Sequence, residues 1–272
     1  MVLLSSKVKQ ELFKRIRAKQ SINVIHQEMS LSKGTIYYHY KKIYGRKNSK
    51  QSIPLEYSER TGEIVGIFVG DGSMGVYKNG NYSGYICFST KAIKYAKYVQ
   101  NLFSRFFKKQ LILYETGHVY RLKLQGKHIY EFFKEYVHYK NPQKALSVHL
   151  KTIQHSNPFI RGFLKGLLDT DGTLYITPTG NPRIEYSTSS PKLKEQLVVL
   201  LTKQGYTNRV RELDREKYKL SNIVKSEVNN INYQVCLRTK KESERFLEYI
   251  LPFKIERWGG RDSNSRSYGP QP

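Results

Sequence analysis

Acids, cysteine and long apolar runs are in short supply in this 272-residue chain, and each shortage narrows the class of protein. The two cysteines, Cys87 and Cys236, sit far apart with no CxxC spacing. Neither a disulfide framework nor a zinc cluster is expected, and a reducing compartment fits. No apolar run approaches the roughly 20 residues of a membrane span. The start, MVLLSSKVKQELFK, lacks the length of a signal h-region and a small-residue cleavage site. A membrane partner is therefore not expected, and a cytoplasmic or organellar-matrix location is.

Acids number 22 against 47 Lys plus Arg, a formal net charge of +25, and this imbalance frames the question of partners. Such an excess favours fast, salt-sensitive association with a polyanion, and nucleic acid is the obvious one. With 39% hydrophobic residues the chain has enough apolar material for one large or two ordinary domains.

Residues 1–45 read as three helical stretches, about 6–19, 21–29 and 32–44, joined by very short links. Ser21 and Ser32 are placed to cap the second and third. Ile22, Ile25 and Met29, then Ile36, Tyr40 and Ile43, recur at helical spacing and make a small core. The run INVIHQEMSLSKGTIYYHYKKI resembles a DNA-binding helix-turn-helix, with Ser30 where the turn glycine usually stands, at a cost of ~1 kcal/mol. That resemblance implies base or phosphate contacts from Lys33, Gly34, Thr35 and Tyr38, with Lys41 and Lys42 on the DNA backbone. Residues 1–56 carry 12 basic and 3 acidic side chains, which agrees. Residues 46–60, polar and basic, read as a linker, and 258–272 as a disordered tail.

From residue 61 one pattern runs twice. Two apolar strings, IVGIFVGDG at 64–72 and LKGLLDTDG at 164–172, each read as a helix ending on an aspartate before glycine. Carboxylates at helix C-termini are unfavourable by a few tenths to ~1 kcal/mol, so two of them suggest that a divalent cation supplies the missing charge. After each string come a hairpin, a helix, two strands and a helix. This order implies two similar halves, 61–155 and 156–257, related by a pseudo-twofold axis. Gly66 with Gly70, and Gly162 with Gly166, put small residues one turn apart, which permits two helix backbones to approach closely and brings Asp71 and Asp171 together.

At this point residues 61–257 resemble a single-chain, two-motif LAGLIDADG homing endonuclease. The second motif is close to the signature. The first departs from it at Val69, where an acid is usual, so Asp169 is unmatched and accessory. The resemblance implies an α+β fold of two αββαββα halves whose sheets form a saddle on DNA. It also implies Mg²⁺, with Mn²⁺ a possible substitute, at Asp71 and Asp171 with the adjoining Gly70 and Thr170. A lysine beside each scissile phosphate is implied too: Lys144, or Lys140, in the first half and Lys254 in the second. The expected substrate is a long, asymmetric duplex cut on both strands by a monomer. Base reading is assigned to Tyr77, Lys78, Asn79 and Tyr82 in one hairpin and to Arg183, Glu185 and Tyr186 in the other, subject to strand register. A non-cleaving DNA-binding regulator and an RNA-splicing maturase stay open as alternatives.

Overall fold

The computed structural model describes residues 4–44, 56–77, 80–141, 143–214, 231–250 and 252–253. The chain divides into two compact units, 1–52 and 53–272. Lys78, Asn79, Lys254 and the tail 258–272 lie outside the described residues, as does most of the expected linker.

The first unit is three helices: α1 (Ser6–Arg17), α2 (Ile22–Met29) and α3 (Lys33–Tyr44). Serines start each of them. The Oγ atoms of Ser5, Ser21 and Ser32 accept from the amides of Val8, Val24 and Thr35, satisfying donors that a first turn leaves unpaired. Leu12, Ile16, Ile25 and Ile36 are buried, with Ile22, Met29, Tyr40 and Ile43 packed around them, so the expected stripes form the core. Ser30 ends α2 at φ 53°, the left-handed conformation that a turn glycine would adopt without cost.

The second unit contains the repeat. Its first half runs α4 (Glu59–Asp71), β1 (Gly72–Val76), β2 (Tyr82–Ser89), α5 (Ile93–Phe106), β3 (Ile112–Thr116), β4 (Val119–Gln125) and α6 (Lys127–Tyr136). A two-stranded ladder, β5 (Val137–His138) with β6 (His149–Leu150), and the short α7 (Lys144–Ser147) follow, beyond the elements that the sequence pattern predicts. Its second half runs α8 (Asn157–Asp171), β7 (Gly172–Ile176), β8 (Pro182–Thr188), α9 (Pro191–Lys203), β9 (Asn208–Asp214), β10 (Ile231–Leu237) and α10 (Lys240–Ile250). Two antiparallel sheets of matching order result, β1-β2-β4-β3 and β7-β8-β10-β9. This is the expected α+β repeat. Helix α4 starts at Glu59, capped by Ser58, inside what the sequence reading assigned to the linker.

Helices α4 and α8 form the seam between the halves, and glycine decides how close they come. A β-carbon on Gly62 would fall 2.0 Å from the carbonyl oxygen of Phe159, and one on Gly162 would fall 1.9 Å from that of Glu59. Gly66 faces Phe163 and Gly166 faces Glu63 in the same way, at 2.3 and 2.2 Å. The contacts exchange under a shift of one hundred positions, as an isologous interface requires. Gly62 therefore joins the expected set, while Gly70 meets the side chain of Thr170 instead of a backbone.

Candidate functional site

Each motif helix ends where its strand begins, and the join is tight. Gly72 has φ −84°, which any residue adopts, but a β-carbon there would lie 2.5 Å from Cδ2 of Phe68. Gly172 is confined likewise by Leu168, at 2.4 Å. Space rather than backbone conformation thus selects the glycine after each aspartate. The seam carries Asp71 and Asp171 to the same end of the paired helices. The carboxyl carbon of Asp171 lies 3.5 Å from the point that a β-carbon on Gly70 would occupy.

Lys144, one of two lysines considered for the first half, is the cation at this place. It begins α7, and its Nζ donates to the carbonyl oxygens of Val69 and Gly70 at 2.6 and 2.8 Å. These are carbonyls that the end of α4 leaves without amide partners. Burial lowers its pKa to about 8, against the pull of Asp171 and Asp71, which favour the charged form. Lys140 is exposed, and its backbone amide donates to Ser147 Oγ at 2.8 Å. Thr170 turns its hydroxyl back on its own helix, donating to the carbonyl oxygens of Gly166 and Leu167 at 3.0 and 3.1 Å.

Does this arrangement suit a divalent ion? Among the described residues no three His, Cys, Asp or Glu side chains form a metal-binding group. Two carboxylates at helix ends suit Mg²⁺, which keeps several waters and takes few protein ligands. The carbonyl of Gly70 accepts from Lys144 and has a second lone pair. The donor set fits the ion.

Strand parity settles which side chains leave each sheet on the face away from the helices. Ile86, Leu122 and Leu124 point into the core, so Tyr85 and Cys87 of β2, Arg121 and Lys123 of β4 and Tyr114 of β3 share the opposite face. In the second sheet Ile184, Tyr186 and Val235 point inward, leaving Tyr175, Arg183, Glu185, Gln234, Arg209 and Arg211 outside. Two sequence assignments are corrected by this register. Tyr186 is 1% exposed and donates to the carbonyl of Leu164 at 3.1 Å; it belongs to the core. Tyr82 packs on the core side against Tyr130, ring centroids 5.1 Å apart. Tyr77, in the turn after β1, is exposed. Arg183 and Glu185 do lie on the outer face. The carboxylate of Glu185 takes the Tyr175 hydroxyl at 3.2 Å and pairs with Arg211 at 3.8 Å. Arg121, which sequence reading passed over, stacks its guanidinium 5.0 Å over the Tyr85 ring.

In the first unit, Lys33, Gly34, Tyr38, Lys41 and Lys42 are exposed on α3, and Lys42 Nζ lies 4.8 Å over the Tyr38 ring. Thr35 is committed locally, its hydroxyl 2.9 Å from that of Ser32. Among the described residues, no helix is long and apolar enough to cross a membrane.

Residues 158–251 match the family described as "LAGLIDADG-like domain". In structure, the chain is similar to the homing endonuclease I-DmoI in complex with DNA and Ca, at TM-score 0.54 and 15% identity, covering 75% of this chain and 98% of that one. The complex of I-DmoI with DNA and Mn matches at TM-score 0.52 and 15% identity, over 72% and 98%. The homing endonuclease I-WcaI bound to its DNA recognition sequence matches at 0.51 and 15%, over 78% and 92%. No curated protein matches by sequence. The fold of LAGLIDADG homing endonucleases, two αββαββα halves meeting at a helix pair, is thereby established for about three quarters of this chain.

Proposed function

We propose that the chain is a divalent-metal-dependent, site-specific DNA endonuclease, acting as a monomer on a long asymmetric duplex and cutting one phosphodiester on each strand. One observation carries this reading: two helices packed backbone to backbone deliver Asp71 and Asp171 to one end, where the ammonium of Lys144 is bonded to the carbonyls of α4 and feels the charge of both acids. Asp71 and Asp171, beside Gly70 and Thr170, would hold Mg²⁺, or Mn²⁺ in its place. A bound ion would polarise a phosphoryl oxygen and lower the pKa of a coordinated water.

The rest of the work falls to the chain. Lys144 places positive charge where negative charge grows on a phosphate in the transition state, and Lys254 is the expected counterpart in the second half. Arg121, Lys123, Arg183, Arg209, Arg211 and Gln234 offer the donors that read guanine and adenine edges in a major groove. The two outer faces differ residue by residue, which suits an asymmetric site. Helix α3, through Lys33, Tyr38, Lys41 and Lys42, would add a second DNA contact and raise affinity at low salt.

The test is a cleavage-site selection on a randomised duplex library with Mg²⁺, run beside Asp71→Asn and Asp171→Asn. Cutting by the natural chain and its loss in both variants, with binding retained, is expected. Persistent cutting in both variants, or cutting in EDTA, would overturn the reading. Binding without cutting by the natural chain would favour the regulator.

A further inference from the structure

Between Asp71 and Glu115 the sequence contains no acid, and this stretch holds a helix whose solvent side is basic from end to end. Helix α5 buries Tyr95, Ala96, Val99 and Phe103 on β2, β3 and β4. Its opposite side exposes Lys94, Lys97, Asn101 and Arg105, and Lys108 follows just beyond the last turn. Among the described residues none of these four cations pairs with a carboxylate. Lys94 and Lys97 stand three apart, where like charges repel. Other exposed helix faces of this unit mix the signs: α6 sets Lys127 against Glu131, and α10 sets Lys240 against Glu244.

The second half shows that the fold does not require such a stripe. Helices α5 and α9 close by the same turn: the amides of Lys108 and Lys109 donate to the carbonyls of Arg105 and Ser104, and those of Gly205 and Tyr206 to the carbonyls of Thr202 and Leu201. Aligned on that turn, Lys94, Lys97, Arg105 and Lys108 correspond to Pro191, Lys194, Thr202 and Gly205. Only Lys194 keeps the charge, and it lies over the Tyr233 ring at 4.7 Å. At the last pair both residues are left-handed, with φ 47° at Lys108 and 76° at Gly205. Glycine takes that conformation freely, whereas a β-carbon resists it. The first half therefore keeps a lysine where glycine would make the turn more stable.

Charge of one sign, unpaired and held against a conformational cost, suits a polyanion. About 21 Å separates Lys94 from Lys108 at 1.5 Å per helical residue, the length of about six base pairs of duplex. Among the described residues no exposed aromatic ring stands on α5 for an unpaired base to stack on, which favours a duplex backbone over a single strand. The stripe lies on the helix side of the first sheet, whereas Tyr85, Arg121 and Lys123 leave the other side. Duplex DNA, stiff over about 150 base pairs, resists wrapping from one side to the other.

We propose that α5 binds the phosphate backbone of a second DNA duplex, so that one chain bridges two segments of DNA. That the sheet holds the first duplex rests on the reading above; binding along α5 does not.

In the experiment, donor- and acceptor-labelled DNA duplexes of random sequence are mixed with the full chain in EDTA. Energy transfer reports bridging, and mass photometry counts duplexes per chain. The natural chain should hold two. Lys94→Gln, Lys97→Gln, Arg105→Gln and Lys108→Gln together should keep the first duplex and weaken the second by more than about tenfold, with a salt slope for the second association smaller by about 3–4. Lys127→Gln, Lys134→Gln, Lys240→Gln and Lys241→Gln together remove as much charge from α6 and α10 and should leave bridging unchanged. Lys108→Gly alone should weaken the second duplex and yet raise the midpoint of denaturant unfolding, a split that a merely structural lysine would not give. Bridging by the α5 variant as strong as that of the natural chain overturns the proposal, and so does equal loss in the charge-matched control. Preference for an RNA duplex of the same sequence overturns the assignment to DNA. A natural chain that holds one duplex, and keeps it in the α5 variant, overturns the proposal as well. One duplex, lost in that variant, would uphold binding at α5 and overturn the sheet reading instead.

Discussion

The ammonium of Lys144 donates to the carbonyl oxygen of Val69, 75 positions earlier in the chain, at 2.6 Å. Lys144→Met removes that charge and keeps most of the stem. Loss of one preorganised charge-stabilising donor costs roughly 10²–10³ in rate. Cutting of one strand should fall by that order, with affinity for DNA nearly unchanged. Single-turnover rates for the two strands check it, and an undiminished rate would remove Lys144 from the site.

The backbone seam gives a prediction about stability. Gly62→Ala would set a β-carbon 2.0 Å from the Phe159 carbonyl oxygen, and neither helix can yield without disturbing the other. Overpacking of this kind costs about 1–3 kcal/mol or more. Gly34→Ala is the control, since the nearest atom to its added carbon is 3.8 Å away. There, removal of glycine's backbone entropy in α3 should stabilise the first unit by about 0.5–1 kcal/mol. Denaturant unfolding of both variants against the natural chain measures the difference in sign.

Protonation should weaken the first unit. His39 is buried beside Phe13 and Tyr38, its Nδ1 without a hydrogen-bond partner. Burial holds its pKa below the ordinary 6.5, and the charges of Lys9 and Lys42 act the same way. Because the folded pKa is lowered, the unfolded chain takes up this proton first as pH falls. Stability contributed by neutral His39 is therefore present above pH 6.5 and declines as pH drops toward the folded value. An NMR titration of the His39 ring should give a midpoint under 6.5, and His39→Phe should flatten the acid limb of unfolding. A midpoint at or above 6.5 would contradict the burial argument.

Reading specificity is predicted to centre on Arg211, which Glu185 holds on the outer face together with Tyr175. Arg211→Ala should relax discrimination at one base pair by about 1–3 kcal/mol. Glu185→Gln, which frees Arg211 without removing it, should produce a smaller loss at the same position. Selection profiles across the whole site would show this; a change spread evenly over all positions would mean that Arg211 contacts only phosphate.

Much of the fold was legible because the repeat obeys local rules. The aspartate-glycine ends, the serine caps and the glycine spacing in each motif reflect short-range constraints on a helix and its neighbour. Gly62 escapes because it lies two residues before the string IVGIFVGDG, outside the segment that the pattern marks as helix. Tyr82 and Tyr186 were misassigned for a different reason. A half-buried strand shows alternation but not its sense, and Tyr186 sits among Ile184, Glu185 and Thr188, all buried, so polarity gave no clue to the face. Arg121 and Arg211 went unnoticed since the face each occupies depends on register against β2 and β10, partners that sequence alone does not name. The bond from the Phe253 amide to Asp169 spans 84 positions and leaves no local trace.

The seam also carries charge of opposite sign on its two faces: Glu59 and Glu63 on α4 meet Arg161 and Lys165 on α8, the inner pair 3.1 Å apart and shared with the Tyr98 hydroxyl. Under the exchange of one hundred positions, two copies of the first half would set the buried Glu63 against Val65, and two copies of the second would set Lys165 against Phe163. Either match strands an ion in an apolar crossing, which is far costlier than the pair itself is favourable. The two halves are thus complementary rather than interchangeable: each is suited to pair with the other kind and not with a copy of itself.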